Sequence, residues 1–381
     1  MSIPRDFVLE PGRTSIGGAP TGYDALVVAA LAKDRDLLFV ATDDGRLAAM
    51  SEALAYFAPE VERLEFPAWD CLPYDRVSPN GEVVAKRIDT LTRLLEAPEG
   101  RGRIVLTTVS ALGQKVPPRA AFRGASLRLA LKDRKPPEDL AAFLVQSGYV
   151  RAETVMEPGE FALRGGILDV FPPGAPQPLR LDFFGDELDG IRSFDPVSQR
   201  TVGKVDSALL KPVSEVPLDA AAISRFRSGY RALAGAAAAN DPLYESVSAG
   251  RRHMGMEHWL PLFHETLETL LDYLPRAAIA FDHQAEEARQ SRADQIAEYY
   301  AARGTTAEST YGGSPYNPVP PDRLFLDAAG WGDLMMGRAV AQLSPFVGEG
   351  AGIDAGGRLG RDFADARLQT GVNLFEALRG H

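Results

Sequence analysis

The chain has 381 residues, which is enough for two or three domains that each bury a hydrophobic core. Its composition, 45% hydrophobic and 24% charged, is that of an ordinary globular protein. No apolar run is long enough to span a bilayer, and the first residues lack the basic region and apolar core of a signal peptide. We therefore expect a cytoplasmic protein without membrane contact.

Charge and cysteine content narrow the possible chemistry. The 41 Lys and Arg residues face 52 Asp and Glu residues, and the resulting net charge of -11 should repel phosphate backbones. The single cysteine, Cys71, excludes an internal disulfide and a thiolate metal cluster. We expect weak and non-specific DNA binding at most.

Strands and helices alternate in the first 116 residues. Apolar runs predict strands at 36–42, 63–66 and 103–108, and helical spacing predicts helices at 24–33, 45–57 and 82–96. This alternation indicates a doubly wound α/β domain built on a parallel sheet.

A glycine-rich loop precedes the first predicted helix. Gly17 and Gly22 have the spacing of the two glycines in a phosphate-binding P-loop, but Tyr23 and Asp24 stand where such a loop has Lys and Ser or Thr. An Asp near a triphosphate adds repulsion. The residues alone leave two interpretations open, a degenerate nucleotide loop and a chance spacing of glycines.

The pattern changes after Pro117-Pro118. A strand near 125–131, a helix at 136–147 and several short alternating strands predict an inserted α+β domain at 117–210. Within it, period two places Leu181 and Phe183 on one face of a strand and Arg180, Asp182 and Phe184 on the other. Gly185-Asp186 suits a two-residue hairpin turn beyond Phe184.

Arg164 is expected on the same face as Arg180 and Phe184. It alternates with Leu163, and Gly165-Gly166 permits a bulge that pushes its strand outward. An aromatic side chain beside arginines at an exposed tip is typical of a protein-binding hot spot. The alternative is that Phe184 packs under a loop and Arg180 merely pairs with Asp182.

The remainder of the chain offers weaker signals. Residues 211–330 are predicted to be mostly helical and to complete the first domain, with a Gly- and Pro-rich linker or surface loop at 304–322. We expect 331–381 to be a linker that leads to a C-terminal helix and to further domains, because helical spacing relates four apolar residues, namely Leu368, Val372, Phe375 and Leu378.

No residue has a pattern that indicates catalysis or metal binding. The acidic pairs Asp43-Asp44 and Asp186-Glu187 fall at predicted turns, where Asp is favoured for backbone reasons. His253, His258 and His264 have spacings that do not place them on one helical face. No histidine near Cys71 in the sequence could act as its base.

Several longer strings resemble one known family. These are FPAWDCLPYD at 66–75, the segments 155–172 and 179–187, and FDPVSQRT at 194–201. They are similar to the N-terminal module of the bacterial transcription-repair coupling factors, the Mfd family, which is itself similar to the excision-repair helicase subunit UvrB. The resemblance runs from about Gly17 to about Leu274.

The resemblance implies an adaptor with a helicase-like fold that has lost its nucleotide. In the family, the positions matching Arg164, Arg180 and Phe184 belong to the surface that binds UvrA. It implies no cofactor in this segment; ATP, magnesium, duplex DNA and RNA polymerase belong to later domains of a translocase. Two alternatives stay open, a structural clamp on that motor and an active nucleotide-hydrolysing helicase domain, which Tyr23 and Asp24 oppose.

Overall fold

A computed structural model describes residues 9–96, 102–235, 238, 241–305, 316–347, 352–360, 375 and 379. In chain order the strands are β1 (Gly12–Gly17), β2 (Leu37–Ala41), β3 (Arg63–Phe66), β4 (Ile104–Thr108), β5 (Leu127–Ala130), β6 (Val150–Arg151), β7 (Glu160–Arg164), β8 (Ile167–Val170), β9 (Leu179–Phe184), β10 (Glu187–Phe194), β11 (Thr201–Lys204), β12 (Ser207–Leu210), β13 (Ala278–Phe281), β14 (Ala339–Leu343) and β15 (Ile353–Asp354).

The helices pack against the two larger sheets or belong to a separate hydrophobic cluster. They are α1 (Tyr23–Leu31), α2 (Asp44–Phe57), α3 (Gly81–Glu96), α4 (Val109–Leu112), α5 (Arg119–Phe122), α6 (Pro137–Gln146), α7 (Ala220–Ala234), α8 (Pro242–Ser248), α9 (Ala285–Thr305), α10 (Pro321–Leu324) and α11 (Ala328–Met335), with 3-10 turns at Met256–Leu262 and Leu270–Asp272. In the described ranges, none of these helices combines the length and the apolar character needed to cross a bilayer.

The larger sheet has seven parallel strands in the order β15-β1-β14-β13-β2-β4-β3. Every residue of β2 and β4 is buried, as expected for strands covered on both faces. Helices α1 and α2 pack on one face, whereas α3, α4, α9 and α11 pack on the other. The predicted α/β class is confirmed.

The inserted unit is built on a smaller mixed sheet of six strands in the order β11-β10-β9-β8-β7-β6, in which only β6 and β7 run parallel. A two-stranded pair of β5 and β12 lies beside it. Leu140 and Leu144 of α6 pack against Leu168 and Leu181 of the sheet, so one sheet face carries the core of this unit. The predicted α+β insertion is confirmed.

A third hydrophobic cluster is mainly helical and aromatic. Phe226 of α7 stacks on Tyr230 at 5.3 Å and on Phe263 at 4.8 Å between ring centroids. Tyr316 and Val319 are buried in the same cluster, so this end of the segment predicted as a linker is packed against the protein. Residues 306–315 lie outside the described ranges.

The seven-stranded sheet includes residues beyond the predicted boundary at 330. Strand β14 pairs with β1 on one side and with β13 on the other, and β15 pairs with β1. We therefore propose that the parallel-sheet unit extends at least to Asp354. Of the predicted C-terminal helix, Phe375 is helical and exposed, and Leu368, Val372 and Leu378 lie outside the described residues.

A buried ion pair fastens the inserted unit to the larger sheet. Arg87 of α3 donates to the Glu215 carboxylate through Nε at 2.5 Å and Nη2 at 3.2 Å, and the two side chains are 0% and 1% exposed. Arg87 also donates to the Pro67 carbonyl at 2.9 Å and lies 4.1 Å from the Phe66 ring centroid. Because Glu215 lies five residues after the end of β12, this pair holds the point at which the chain leaves the inserted unit against α3.

Removal of either partner of the Arg87–Glu215 ion pair should therefore reduce the stability of the fold. Glu215→Gln leaves the Arg87 guanidinium buried without its counter-charge, and we expect it to lower the free energy of unfolding by about 3–5 kcal/mol. Denaturant unfolding of the purified chain measures this. Glu62→Gln is the matched control, because Glu62 pairs with Arg93 of the same helix at about two-fifths exposure, and it should cost less than about 1 kcal/mol. Equal costs for both variants would contradict the structural role of Glu215.

Candidate protein-binding face and the glycine loop

Two hairpins present their tips at the same end of the smaller sheet. Phe184 pairs with Glu187, so Gly185-Asp186 is the predicted two-residue turn, and Gly185 has a φ of 64°. Arg164 pairs with Ile167, which makes Gly165-Gly166 a second two-residue turn and not the bulge we expected. A Cβ at Gly166 would lie 2.8 Å from the Phe183 carbonyl oxygen, so glycine is required for the close approach of β9.

The strand register places Arg164, Arg180 and Phe184 on one face of the sheet. Arg164 pairs with Ile167, and Ile167 pairs with Asp182, which lies two residues from Arg180 and from Phe184 along β9 and therefore shares their face. Phe184 is 84% exposed, so the alternative in which it packs under a loop is wrong. The opposite face, with Leu181 fully buried, packs on α6.

Arg180 is held by a partner that the sequence pattern did not indicate. Its Nε and Nη2 donate to the two oxygens of the buried Asp169 at 2.7 and 2.9 Å, and its guanidinium lies 4.7 Å from the Phe194 ring centroid. Hydrogen bonding to Asp169 raises the pKa of Arg180. Asp182, the expected partner, instead accepts two bonds of 2.9 Å from Arg192.

The part of this face that is distant from the hairpin tips is covered by the segment around Val155. Val155, Ala162, Phe171 and Phe194 form a small buried cluster there. Arg164 donates to the backbone carbonyl of Glu153, at the edge of the covering segment. The open part of the face is therefore limited to the ends of the strands near the two hairpin tips.

The glycine loop has the predicted strand-loop-helix context, with Gly17 ending β1 and Gly22 preceding α1. Tyr23 donates its hydroxyl to the Ala355 carbonyl at 2.8 Å. Asp24 is buried, accepts from the Gly22 N–H at 2.9 Å and forms an ion pair with Arg46. Burial is the largest influence on the pKa of Asp24 and raises it, although Arg46 acts in the opposite direction.

A later part of the chain packs directly on this loop. We call residues 344–347 and 352–358 the closing segment. The Gly18 N–H donates to the Phe346 carbonyl at 3.2 Å, and the Ala19 N–H donates to the Ser344 carbonyl at 2.9 Å. In a working P-loop such N–H groups bind phosphates. Here they bind the chain's own carbonyl groups, and a Cβ at Gly17 would lie 2.6 Å from the Phe346 oxygen.

An internal arginine links the loop to the neighbouring strand end. Arg46 of α2 pairs with Asp24 and, through Nε at 2.8 Å, with Asp282, which directly follows β13. The two aspartates are nearly buried and the arginine side chain is 17% exposed. The carboxyl edge of the parallel sheet is the usual ligand site of an open α/β fold, and this chain fills it with its own charges.

The other side chains considered for catalysis or metal binding include Asp43, Cys71 and His258. Asp43 caps α2 by accepting from the Arg46 N–H at 2.8 Å. No histidine is near Cys71 in the sequence, but the fold brings His258 Nε2 to 3.8 Å from Cys71 Sγ. Burial raises the pKa of the Cys71 thiol to about 12 and lowers the pKa of His258 to about 4, so both are neutral at pH 7. Within the described ranges, no group of acidic, His and Cys side chains could hold a metal ion.

Residues 127–215 match the family model described as the UvrB interaction domain. The fold and this match define the class of protein, a parallel α/β domain that carries a UvrB-type interaction domain as an insertion. The exposed hairpin face lies within the matched residues.

The chain also matches several curated proteins named transcription-repair-coupling factor. The protein of Haemophilus influenzae is 36% identical over 318 residues, covering 82% of this chain and 27% of the relative. That of Escherichia coli is 31% identical over 325 residues, covering 84% and 27%, and that of Mycobacterium bovis is 32% identical over 348 residues, covering 85% and 27%. The chain belongs to this family as its N-terminal region, and it spans about a quarter of the length of these relatives.

The buried His258 should make stability depend on pH. Its pKa falls from an ordinary 6.5 to about 4 in the folded chain, so its contribution is complete above about pH 6.5 and is lost as the pH falls towards 4. The loss amounts to about 3 kcal/mol at most. Denaturant unfolding at several pH values between 6.5 and 4.5 should give a shallower slope for His258→Gln than for the parent. An unchanged slope in His258→Gln would contradict the expectation.

Proposed function

We propose that this chain is an adaptor that binds UvrA during transcription-coupled repair. The observation that carries the proposal is the 84% exposed Phe184 at a hairpin tip, on the same sheet face as Arg164 and Arg180 and within the segment that matches a UvrB interaction domain. A large exposed aromatic side chain flanked by arginines is the composition of a binding hot spot.

The three residues would have different roles in this contact. Phe184 would be the desolvated anchor, because nothing in the described structure covers it. Arg164 is exposed and would supply charge-assisted hydrogen bonds from donors that its bond to Glu153 leaves open. Arg180 already uses Nε and Nη2 on Asp169, so it would orient the face and offer only its remaining N–H groups.

The wider role follows from the relatives' name, transcription-repair-coupling factor. We propose that the complete protein is a cytoplasmic, ATP-dependent translocase that engages RNA polymerase and duplex DNA through regions outside this chain. In that setting the present region would bring UvrA to the site of a stalled polymerase. The net charge of -11 supports a protein partner over a nucleic-acid partner for this region.

We further propose that this region neither binds nor hydrolyses ATP. Tyr23 and Asp24 replace the Lys and hydroxyl residue of a P-loop, and the N–H groups of Gly18 and Ala19 already bind the closing segment. The Asp24–Arg46–Asp282 ion pairs occupy the adjacent strand ends. These contacts leave no phosphate cradle open in the described part of the loop.

Substitution of the face should weaken UvrA binding without unfolding the chain. Phe184→Ala and Arg164→Ala should each raise the dissociation constant about thirtyfold, as expected for hot-spot residues, with unfolding free energies within about 0.5 kcal/mol of the parent. Arg180→Ala should also weaken binding but should cost about 1–3 kcal/mol of stability, because it leaves the buried Asp169 without its partner. Titration calorimetry with purified UvrA and denaturant unfolding measure the two effects.

Tyr56→Ala is the matched control for this series. Tyr56 is an aromatic residue at 80% exposure on α2 of the larger domain, so its loss should leave UvrA affinity unchanged. Parent-like affinity in both the Phe184 and Arg164 variants would show that the adaptor surface lies elsewhere.

Calorimetric titration of the chain with magnesium-ATP should show no binding heat at concentrations up to millimolar. The physical reason is that the loop lacks the Lys and the hydroxyl and that its N–H groups are occupied. Micromolar affinity, or ATP turnover by the purified chain, would support the helicase alternative instead.

A further inference from the structure

We propose that Ile167 is a second apolar anchor of the UvrA-binding face, and that the matching surface of UvrA has an apolar recess with a carboxylate positioned opposite Arg164. This inference rests on the proposed function, and it assigns a contact residue that the family resemblance did not supply. It comes from the register of the two hairpins.

Ile167 begins β8, directly after the Gly165-Gly166 turn, and its side chain shares the face of Phe184. It pairs with Arg164 on one side and with Asp182 on the other, and Phe184 stands two residues beyond Asp182 on the same strand. Residues diagonal across an antiparallel pair lie about 7–8 Å apart, within reach of an aromatic side chain. Arg164, Ile167 and Phe184 therefore form one continuous row across the two hairpin tips.

The exposure of Ile167 distinguishes it from the apolar residues at the covered end of this face. Ile167 is 41% exposed, whereas Ala162 and Phe194 on the same face are buried under the segment around Val155. That segment reaches only as far as Glu153, whose carbonyl accepts the Arg164 bond. A single exposed apolar residue is common on a protein surface, but two neighbouring ones at the uncovered end of an otherwise covered face form a contiguous contact area.

The charges around this row indicate the chemistry of the partner. The carboxylates beside this row already have cationic partners: Asp169 pairs with Arg180, Asp182 with Arg192, and Glu187, which stands opposite Phe184, with Lys132. Arg164 is exposed and, among the described contacts, bonded only to a backbone carbonyl, so its charge has no carboxylate partner there. An exposed cation of this kind beside two apolar side chains favours a partner surface with a carboxylate next to its apolar recess.

The test is a pair of substitutions that keep the β-branched shape of Ile167. Ile167→Thr removes apolar contact while retaining strand preference, and it should raise the dissociation constant for purified UvrA at least about tenfold. Ile167→Val retains most of the contact and should stay within about threefold of the parent. Titration calorimetry with the full chain measures both, and thermal unfolding confirms that each variant is folded.

Val145→Thr is the matched control. Val145 is a β-branched residue at 60% exposure on α6, which covers the opposite face of the sheet, and its substitution should leave UvrA affinity unchanged. If Ile167→Thr binds as tightly as the parent while Phe184→Ala is impaired, Ile167 is not an anchor and the proposed function survives. If Phe184→Ala also binds normally, the proposed function itself fails.

The proposed carboxylate on UvrA is tested separately, by the salt dependence of binding. Raising the salt concentration should reduce the affinity of the parent more steeply than that of Arg164→Gln, because the screened charge pair is absent from the variant. Parallel salt dependences of the parent and Arg164→Gln would overturn this part of the proposal.

Discussion

The ion pair between Arg87 and Glu215 is the constraint on which the arrangement of this chain depends. The Glu215 carboxylate binds α3 of the parallel-sheet unit, while the Glu215 carbonyl lies 2.9 Å from Nε2 of His264, the residue after Phe263 of the aromatic cluster. One residue at the exit of the insertion thus contacts all three parts of the molecule. Lys211 adds a second pair, to Asp89 of the same helix at 2.5 Å. These contacts join the unit that carries the hairpin face to the unit built on the larger sheet.

The carboxyl edge of the parallel sheet shows how a ligand site can be replaced by protein contacts. Backbone carbonyls of the closing segment accept from the loop N–H groups, and Arg46 supplies a cation between Asp24 and Asp282. The carbonyl oxygens take the place of the negative phosphates of a nucleotide, and the Arg46 guanidinium takes the place of its positive metal ion. The strand-loop-helix geometry is therefore retained, although its polar groups have internal partners.

Local patterns predicted much of this structure. Burial of the strands, the position of the insertion and the alternation along β9 are encoded within a few residues, so the exposure of Phe184 followed from period two. Contacts between distant residues were not predictable. The Asp169 partner of Arg180, the approach of His258 to Cys71 and the place of β14 within the sheet depend on chain segments that no local pattern relates. The closing segment was missed for the same reason.

The pairing of β1 has a consequence for the order in which the chain can fold. Both neighbours of β1 are distant in sequence: Gly12 pairs with Ala339 and Ile16 with Ile353. During synthesis, more than 300 further residues must be added before either edge of β1 can form its hydrogen bonds. All strands of the six-stranded sheet, in contrast, lie within residues 150–204. Non-local pairing is slow because the entropy of loop closure is lost before the contacts form. The inserted unit can thus be complete on the ribosome while the sheet that carries it is still unfinished.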